Sequence, residues 1–308
     1  MPQSLVDRRA RPAQARFSRW RAADGWRIRR MDWLQPAEAE PRGSLIFGGG
    51  RGDFIEKYLE AKAHWHALGW NVTSFDWRGQ GGSAGDIVAG HIEDFDPLVE
   101  DGAALIASWI AERPGPHAAI GHSFGGHLLL RILAEHRPRL DAAVLSAPML
   151  GFNARKLPRR LAGAIAALAA RLGWRRRPVW KEGPKGGFRQ ANLTSSLERY
   201  ADESWWKENN PRYDLGPPSW GWLAAAYRSM ARHDAAGLRA VATPVLLIGS
   251  DSDRLVSPAA IRRAASLMPK AELHMFADAA HEILRERDEV RLEAHALIDD
   301  FLDRHAGR

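Results

Sequence analysis

Apolar and polar residues alternate along this chain in blocks of two lengths. The short blocks are mostly apolar: Ser44–Gly48 (SLIFG), Trp70–Phe75 (WNVTSF), His117–Gly121 (HAAIG), Leu140–Ser146 (LDAAVLS), Pro244–Gly249 (PVLLIG) and Glu272–Phe276. Runs of this length, bounded by glycine or polar clusters, predict strands. Between them lie longer blocks with a helical period: Phe54–Leu68, Asp94–Arg113, Phe124–His136, Pro258–Leu267 and Glu286–His305. Trp26–Trp33 (WRIRRMDW) alternates only in part and predicts an edge strand.

Strands that alternate with helices build a mostly parallel central sheet with helices on both faces, so the fold class is α/β. The rhythm stops at Pro148 and does not resume until after about His233. That stretch is basic at first, then rich in tryptophan: Trp174, Trp180, Trp205, Trp206, Trp220 and Trp222 lie in it. An interruption between two halves of one alternation predicts an inserted helical cap. The expected division is a flexible arm over residues 1–25, a core over 26–147 and 236–308, and a cap over 148–235.

Composition changes this picture in two places. There is no cysteine, which excludes disulfide scaffolds, thiol nucleophiles and zinc–thiolate sites. The net charge of +7 is unevenly spread. Between Arg155 and Arg189 stand eleven Lys/Arg and one acid, Glu182, a local +10 that leaves −3 for the rest. The apolar run Leu161–Leu172 lies inside this segment and is shorter than the ~20 residues of a membrane span. An apolar helix with basic flanks suits an anionic membrane surface as well as an ordinary cap edge. The N-terminal arginines have no apolar run behind them, so no secretory signal is expected. The expected location is the cytoplasm, with peripheral contact at the inner membrane face if segment 155–189 binds lipid. No nucleic-acid motif accompanies the basic charge, so no nucleic acid is expected as a partner.

The sharpest chemical signal is Gly121-His122-Ser123-Phe124-Gly125, a G-x-S-x-G pattern between a predicted strand and a predicted helix. On so tight a turn the serine backbone is strained and a Cβ two residues either side would clash. The turn lifts the hydroxyl clear of the sheet and makes Ser123 the candidate nucleophile. A serine needs a base, and on this architecture the order is serine, acid, histidine. Asp251 and Asp253 follow one late strand and His281 follows the next. Loop placement favours Asp253, while Asp251 suits a turn. Asp278 also reads as a turn or cap residue. His64 and His66 are two apart on a helix and do not share a face. No metal-ligand spacing occurs, and the chemistry calls for no cofactor.

Gly48-Gly49-Gly50-Arg51-Gly52 follows the strand SLIFG. A dinucleotide fingerprint would need glycine where Asp53 stands. The run is instead read as a loop whose backbone N–H reaches a reacting carbonyl oxygen. The oxyanion donors are then the N–H groups of Phe124 and Arg51.

With these motifs the chain resembles the α/β-hydrolases, in particular the bacterial lysophospholipase and monoacylglycerol lipase group. The resemblance spans residues 25–305 and rests on Gly50–Tyr58, Asp76–Gly81, Gly121–Gly125, Asp253–Val256, and His281–Leu284 with Glu286. Many relatives carry His-Gly where this chain has Gly49-Gly50. The resemblance implies an α/β-hydrolase fold and Ser123, Asp253 and His281 as a triad. It also implies Arg51 and Phe124 as oxyanion donors, and a cap over the site. Asp76 and Arg78 are expected to pin their loop rather than react. The implied reaction is hydrolysis of a monoacylglycerol or lysophospholipid, with the apolar cap as acyl pocket. A soluble short-chain carboxylesterase and a non-catalytic membrane-binding adaptor are the alternatives. The sequence leaves oligomeric state open.

Overall fold

The structure is a computed structural model and describes residues 7–85, 91–153, 158–180 and 187–307. Its strands are β1 (Arg16–Arg21), β2 (Arg27–Trp33), β3 (Gly43–Gly48), β4 (Trp70–Phe75), β5 (His117–His122), β6 (Ala142–Ser146), β7 (Val245–Ser250) and β8 (Ala271–Phe276). They form one sheet in the order β1-β2-β4-β3-β5-β6-β7-β8. Pairing is antiparallel at β1–β2 and β2–β4 and parallel from β4 through β8. Strands β3, β4, β6 and β7 are buried at every position, as parallel strands covered on both faces must be.

The helices are α1 (Leu59–Ala67), α2 (Asp96–Glu112), α3 (Phe124–Glu135), α4 (Arg159–Ala169), α5 (Gly187–Leu193), α6 (Leu197–Asn209), α7 (Trp220–Ala231), α8 (Ala235–Arg239), α9 (Pro258–Leu267) and α10 (Asp288–Ala306). Helices α1 and α10 pack together, with His64 on Asp299 at 2.7 Å and the Trp65 and His295 rings 5.6 Å apart. Helices α2, α3, α8 and α9 form a second contiguous layer. Helices α4 to α7 all lie between β6 and β7, in the segment expected as the cap.

Three expectations change. From Arg16 the arm expected to be flexible is a strand, so the sheet edge is β1 rather than β2. The residues before it are anchored through their arginines. Arg8 and Arg9 pair with Asp202 of α6 at 2.5 and 2.7 Å, and Arg11 pairs with Glu56 at 2.7 Å. The helix expected from Phe54 opens as a 3-10 turn over Ile55–Tyr58. Glu56 and Lys57 are buried in that turn and find their counter-charges inside.

Helix α4 is inverted relative to an ordinary surface helix. Its small residues face inward: Ala166 and Ala169 are buried, and a Cβ on Gly163 would lie 3.3 Å from Tyr227 of α7. Its large residues face outward, with Leu161 50%, Leu168 57% and, just beyond the helix, Leu172 65% exposed. Ile165 and Trp174 are exposed too, and so are Arg171, Arg175, Arg176 and Arg177. Arg155, Lys156, Lys181, Glu182 and Lys185 of the basic segment lie outside the described residues.

Candidate active site

The C-terminal ends of β3, β5, β7 and β8 bring four loops together, the usual place for a site on such a sheet. At the end of β5 the chain turns directly into α3 with Ser123 at φ 52° and ψ −114°. A side chain rarely adopts a positive φ, and here two glycines permit it. A Cβ on Gly121 would meet the Gly125 carbonyl oxygen at 2.7 Å. A Cβ on Gly125 would collide with the carbonyl groups of Gly48 and Gly49. The serine backbone is tied down at both ends, its N–H donating to Ser146 O at 2.9 Å and its carbonyl accepting from Met149 N at 3.0 Å.

His281 lies between Ser123 and Asp253. Its Nε2 is 2.8 Å from Ser123 Oγ, and its Nδ1 is 2.7 Å from Asp253 Oδ2. The other Asp253 oxygen accepts the N–H groups of Leu255 and Val256 at 2.7 and 3.0 Å. Burial pushes the Asp253 carboxyl up. The His281 charge, its hydrogen bond and those two N–H groups outweigh this and leave it below its usual value. Burial pushes His281 down, yet the Asp253 carboxylate carries it above the ordinary 6.5. Asp251 is not part of this hydrogen-bonded line. It is exposed and pairs with Arg262 at 2.7 Å. Asp278 is likewise exposed, 3.6 Å from Arg287.

The loop after β3 lies against the serine: a Cβ on Gly50 would be 3.2 Å from the Ser123 Cβ. Its position is set by side chains from elsewhere. Gly50 N–H donates to Asp53 Oδ2 at 2.5 Å, Gln80 Nε2 donates to Gly50 O at 2.7 Å, and Trp77 Nε1 donates to Gly49 O at 2.9 Å. Phe124, the first residue of α3, has an N–H without an intrahelical partner. Arg51, next to Gly50, and Phe124, next to Ser123, are the two positions expected as oxyanion donors.

Several residues that matter here lie in or near the motifs named above, but their partners could not be read from the sequence. Lys57 Nζ reaches Asp53 at 2.6 Å, Glu282 at 2.6 Å and Glu203 of α6 at 3.0 Å. Arg285 pairs with Glu203 and Glu282 in turn. This buried network joins the loop after β3, the histidine loop and the cap. Burial favours neutral Lys57, but the three carboxylates raise its pKa overall. The cap touches the histidine directly: His281 N–H donates to Asn192 O at 3.3 Å and Glu282 N–H to Leu193 O at 2.7 Å. Glu286 accepts the N–H groups of Ala280 and Ser195 at 2.8 and 3.0 Å. Asp76 accepts from Ile55 N and Gly82 N, both at 2.7 Å, and Arg78 pairs with Asp24 and Asp101, both at 2.6 Å. Among the described residues no group of three or more His, Asp or Glu is arranged to hold a metal.

The profile of the Hydrolase_4 family, described as "Serine aminopeptidase, S33", matches residues 39–288. Lysophospholipase L2 of Escherichia coli is 30% identical over 284 residues, covering 85% of this chain and 80% of that protein. A probable lysophospholipase L2 of Haemophilus influenzae is 28% identical over 277 residues, covering 88% and 86%. Among solved structures, a soluble variant of monoglyceride lipase from Saccharomyces cerevisiae, in complex with a substrate analogue, superposes with a TM-score of 0.76. It shares 18% identity and covers 98% of this chain and 99% of its own.

Proposed function

The chain belongs to the Hydrolase_4 family of α/β-hydrolases, and from that membership we propose that it hydrolyses the carboxylic ester of a single-chain lipid, a lysophospholipid or a monoacylglycerol, through an acyl-enzyme on Ser123. The observation that carries this reading is the hydrogen-bonded line from Ser123 through His281 to Asp253. Ser123 Oγ bonds to the ester carbonyl carbon while His281 Nε2 takes its proton. The carbonyl oxygen becomes an oxyanion facing the N–H groups of Phe124 and Arg51. His281 then gives the proton to the alcohol oxygen as the ester C–O bond breaks. Water attacks the acyl-enzyme, giving a proton to His281. The tetrahedral adduct collapses, the proton returns to Ser123 Oγ and the fatty acid leaves. Asp253 holds the imidazole tautomer and stabilises the imidazolium.

The lipid half of the proposal is supported by the names of the bacterial relatives and by the outer face of α4. Leu161, Ile165, Leu168 and Leu172 present an apolar strip to solvent, ending at Trp174 and flanked by exposed arginines. Such a face suits the interface of an anionic membrane. The cap would then rest on the bilayer, without crossing it. Among the described residues no helix is long and apolar enough to span a membrane.

The test is hydrolysis of monooleoylglycerol, oleoyl lysophosphatidylcholine and p-nitrophenyl butyrate by wild type and Ser123→Ala. The proposal expects wild type to cleave a long-chain lipid and Ser123→Ala to cleave none of the three. Cleavage of p-nitrophenyl butyrate alone would leave a short-chain esterase. Full activity in Ser123→Ala would remove the acyl-enzyme.

A further inference from the structure

We propose that the Arg51 guanidinium binds the phosphodiester of the substrate and so makes this enzyme select lysophospholipids over uncharged monoacylglycerols. The inference rests on the lipid-ester reading above and divides its two substrate classes.

Arg51 follows Gly50, which lies against Ser123, so its side chain departs from the reacting centre itself. The guanidinium lies over the Trp222 ring, 5.2 Å from its centroid, and Trp222 neighbours the Phe124 ring at 6.1 Å. One nitrogen, Nη2, donates to Gly216 O at 3.0 Å. The Nε is buried and has no hydrogen-bond partner. Among the described residues no carboxylate lies within ion-pair reach of this guanidinium. Arg51 is half-buried, and the buried arginines elsewhere are treated differently: Arg29 pairs with Glu56, Arg131 with Glu135, Arg199 with Glu60 and Arg285 with Glu282.

The charge nearest in effect to Arg51 has the same sign. Burial, and then the Arg189 guanidinium, pull its pKa down to about 9, so the group is still a cation at neutral pH. Arg189 is itself committed to Glu203 at 3.0 Å. A shielded cation without an anion is unfavourable, and a bound anion relieves it. The guanidinium fork matches phosphate geometry, and phosphate is the anion a lysophospholipid brings. Its phosphodiester is joined to the scissile ester through one glycerol unit. With the carbonyl oxygen at the Arg51 N–H, a phosphodiester one glycerol unit away lies within a side chain's length of the same residue. A monoacylglycerol offers a neutral hydroxyl at that point and leaves the charge uncompensated.

The experiment compares kcat/KM for 1-oleoyl lysophosphatidylglycerol and 1-oleoylglycerol in the same neutral detergent micelles. Wild type, Arg51→Met and Arg51→Lys are assayed as full-length proteins, with melting temperature as the check on folding. The ratio of the two substrates is expected to fall on the order of ten- to a hundredfold in Arg51→Met, with partial recovery in Arg51→Lys. A second readout avoids turnover: an ether-linked oleoyl lysophosphatidylglycerol, which has no ester, is titrated into Ser123→Ala with and without Arg51→Met. Its Kd is expected to rise about tenfold or more with Arg51→Met. An unchanged ratio with an unchanged Kd overturns the proposal and leaves Arg51 as a tie between its loop and Gly216. Wild type that cleaves p-nitrophenyl butyrate but neither lipid overturns the underlying lipid reading, before any Arg51 variant is assayed.

Discussion

In the proposed mechanism His281 sets the acid side of activity. Its Nε2 must be unprotonated to accept the Ser123 proton, and the Asp253 carboxylate raises its pKa above 6.5. Activity is therefore expected to fall as pH drops through a value above 6.5, seen as the acidic limb of a kcat/KM profile. Asp253→Asn removes the charge that raises it. The limb should move to lower pH while kcat drops on the order of a thousandfold or more. A limb that stays put would detach Asp253 from His281. Gly125→Ala is a second test at this scale. Its methyl has no room against the carbonyl groups of Gly48 and Gly49, so soluble yield and activity should both collapse. Normal turnover in that variant would contradict the close approach. Ser123, Asp253 and His281 could be read from the sequence because each lies in a short motif at a strand end. Asp53, Lys57, Gln80 and Glu282 could not be assigned roles that way. Lys57, Gln80 and Glu282 each have a partner distant in the chain: Lys57 and Glu282 are separated by 225 positions.

At the scale of elements, the strands and helices of the core follow from pattern alone, because each buried strand is a short apolar block. Helix Pro258–Leu267 and strand Trp70–Phe75 have the predicted limits, and the other predicted core elements shift by a few residues at most, apart from the turn that opens at Ile55; β1 and α8 have no predicted counterpart. Pattern fails in α4 for a physical reason. An apolar period shows that a helix has a face but not which side is inward. Here the glycine and alanine side packs on α7 and the leucine side faces out. Leu168→Glu with Leu172→Glu should reduce co-sedimentation with anionic vesicles several-fold, and lower lipid turnover more than short-ester turnover. Wild type that ignores vesicles, or binds neutral and anionic ones equally, would end the membrane reading of this face.

At the scale of the molecule, buried charge holds core and cap together. Lys57 compensates carboxylates from the loop after β3, from the histidine loop and from α6. Lys57→Met strands those carboxylates and is expected to cost about 3–5 kcal/mol of unfolding free energy, measured in denaturant. Turnover of every ester should fall together, because both the loop after β3 and the histidine loop lose their brace. A loss confined to lipid esters would assign the network to substrate binding instead.

The pairing of Arg8 and Arg9 with Asp202 bears on how the molecule is made. The Arg8–Asp202 contact joins positions 194 residues apart. During synthesis the β1–β2 hairpin closes on itself early, since its strands are neighbours in the chain. The arginines ahead of it must wait until α6 has left the ribosome. Until then the apolar patch of Phe17, Met31 and Phe54 also lacks Trp206, which packs on it. A nascent chain halted before residue 197 therefore lacks both the carboxylate that pairs with Arg8 and Arg9 and the tryptophan that packs on Met31 and Phe54. This stitch joins the lead-in to β1 to a helix made nearly two hundred residues later.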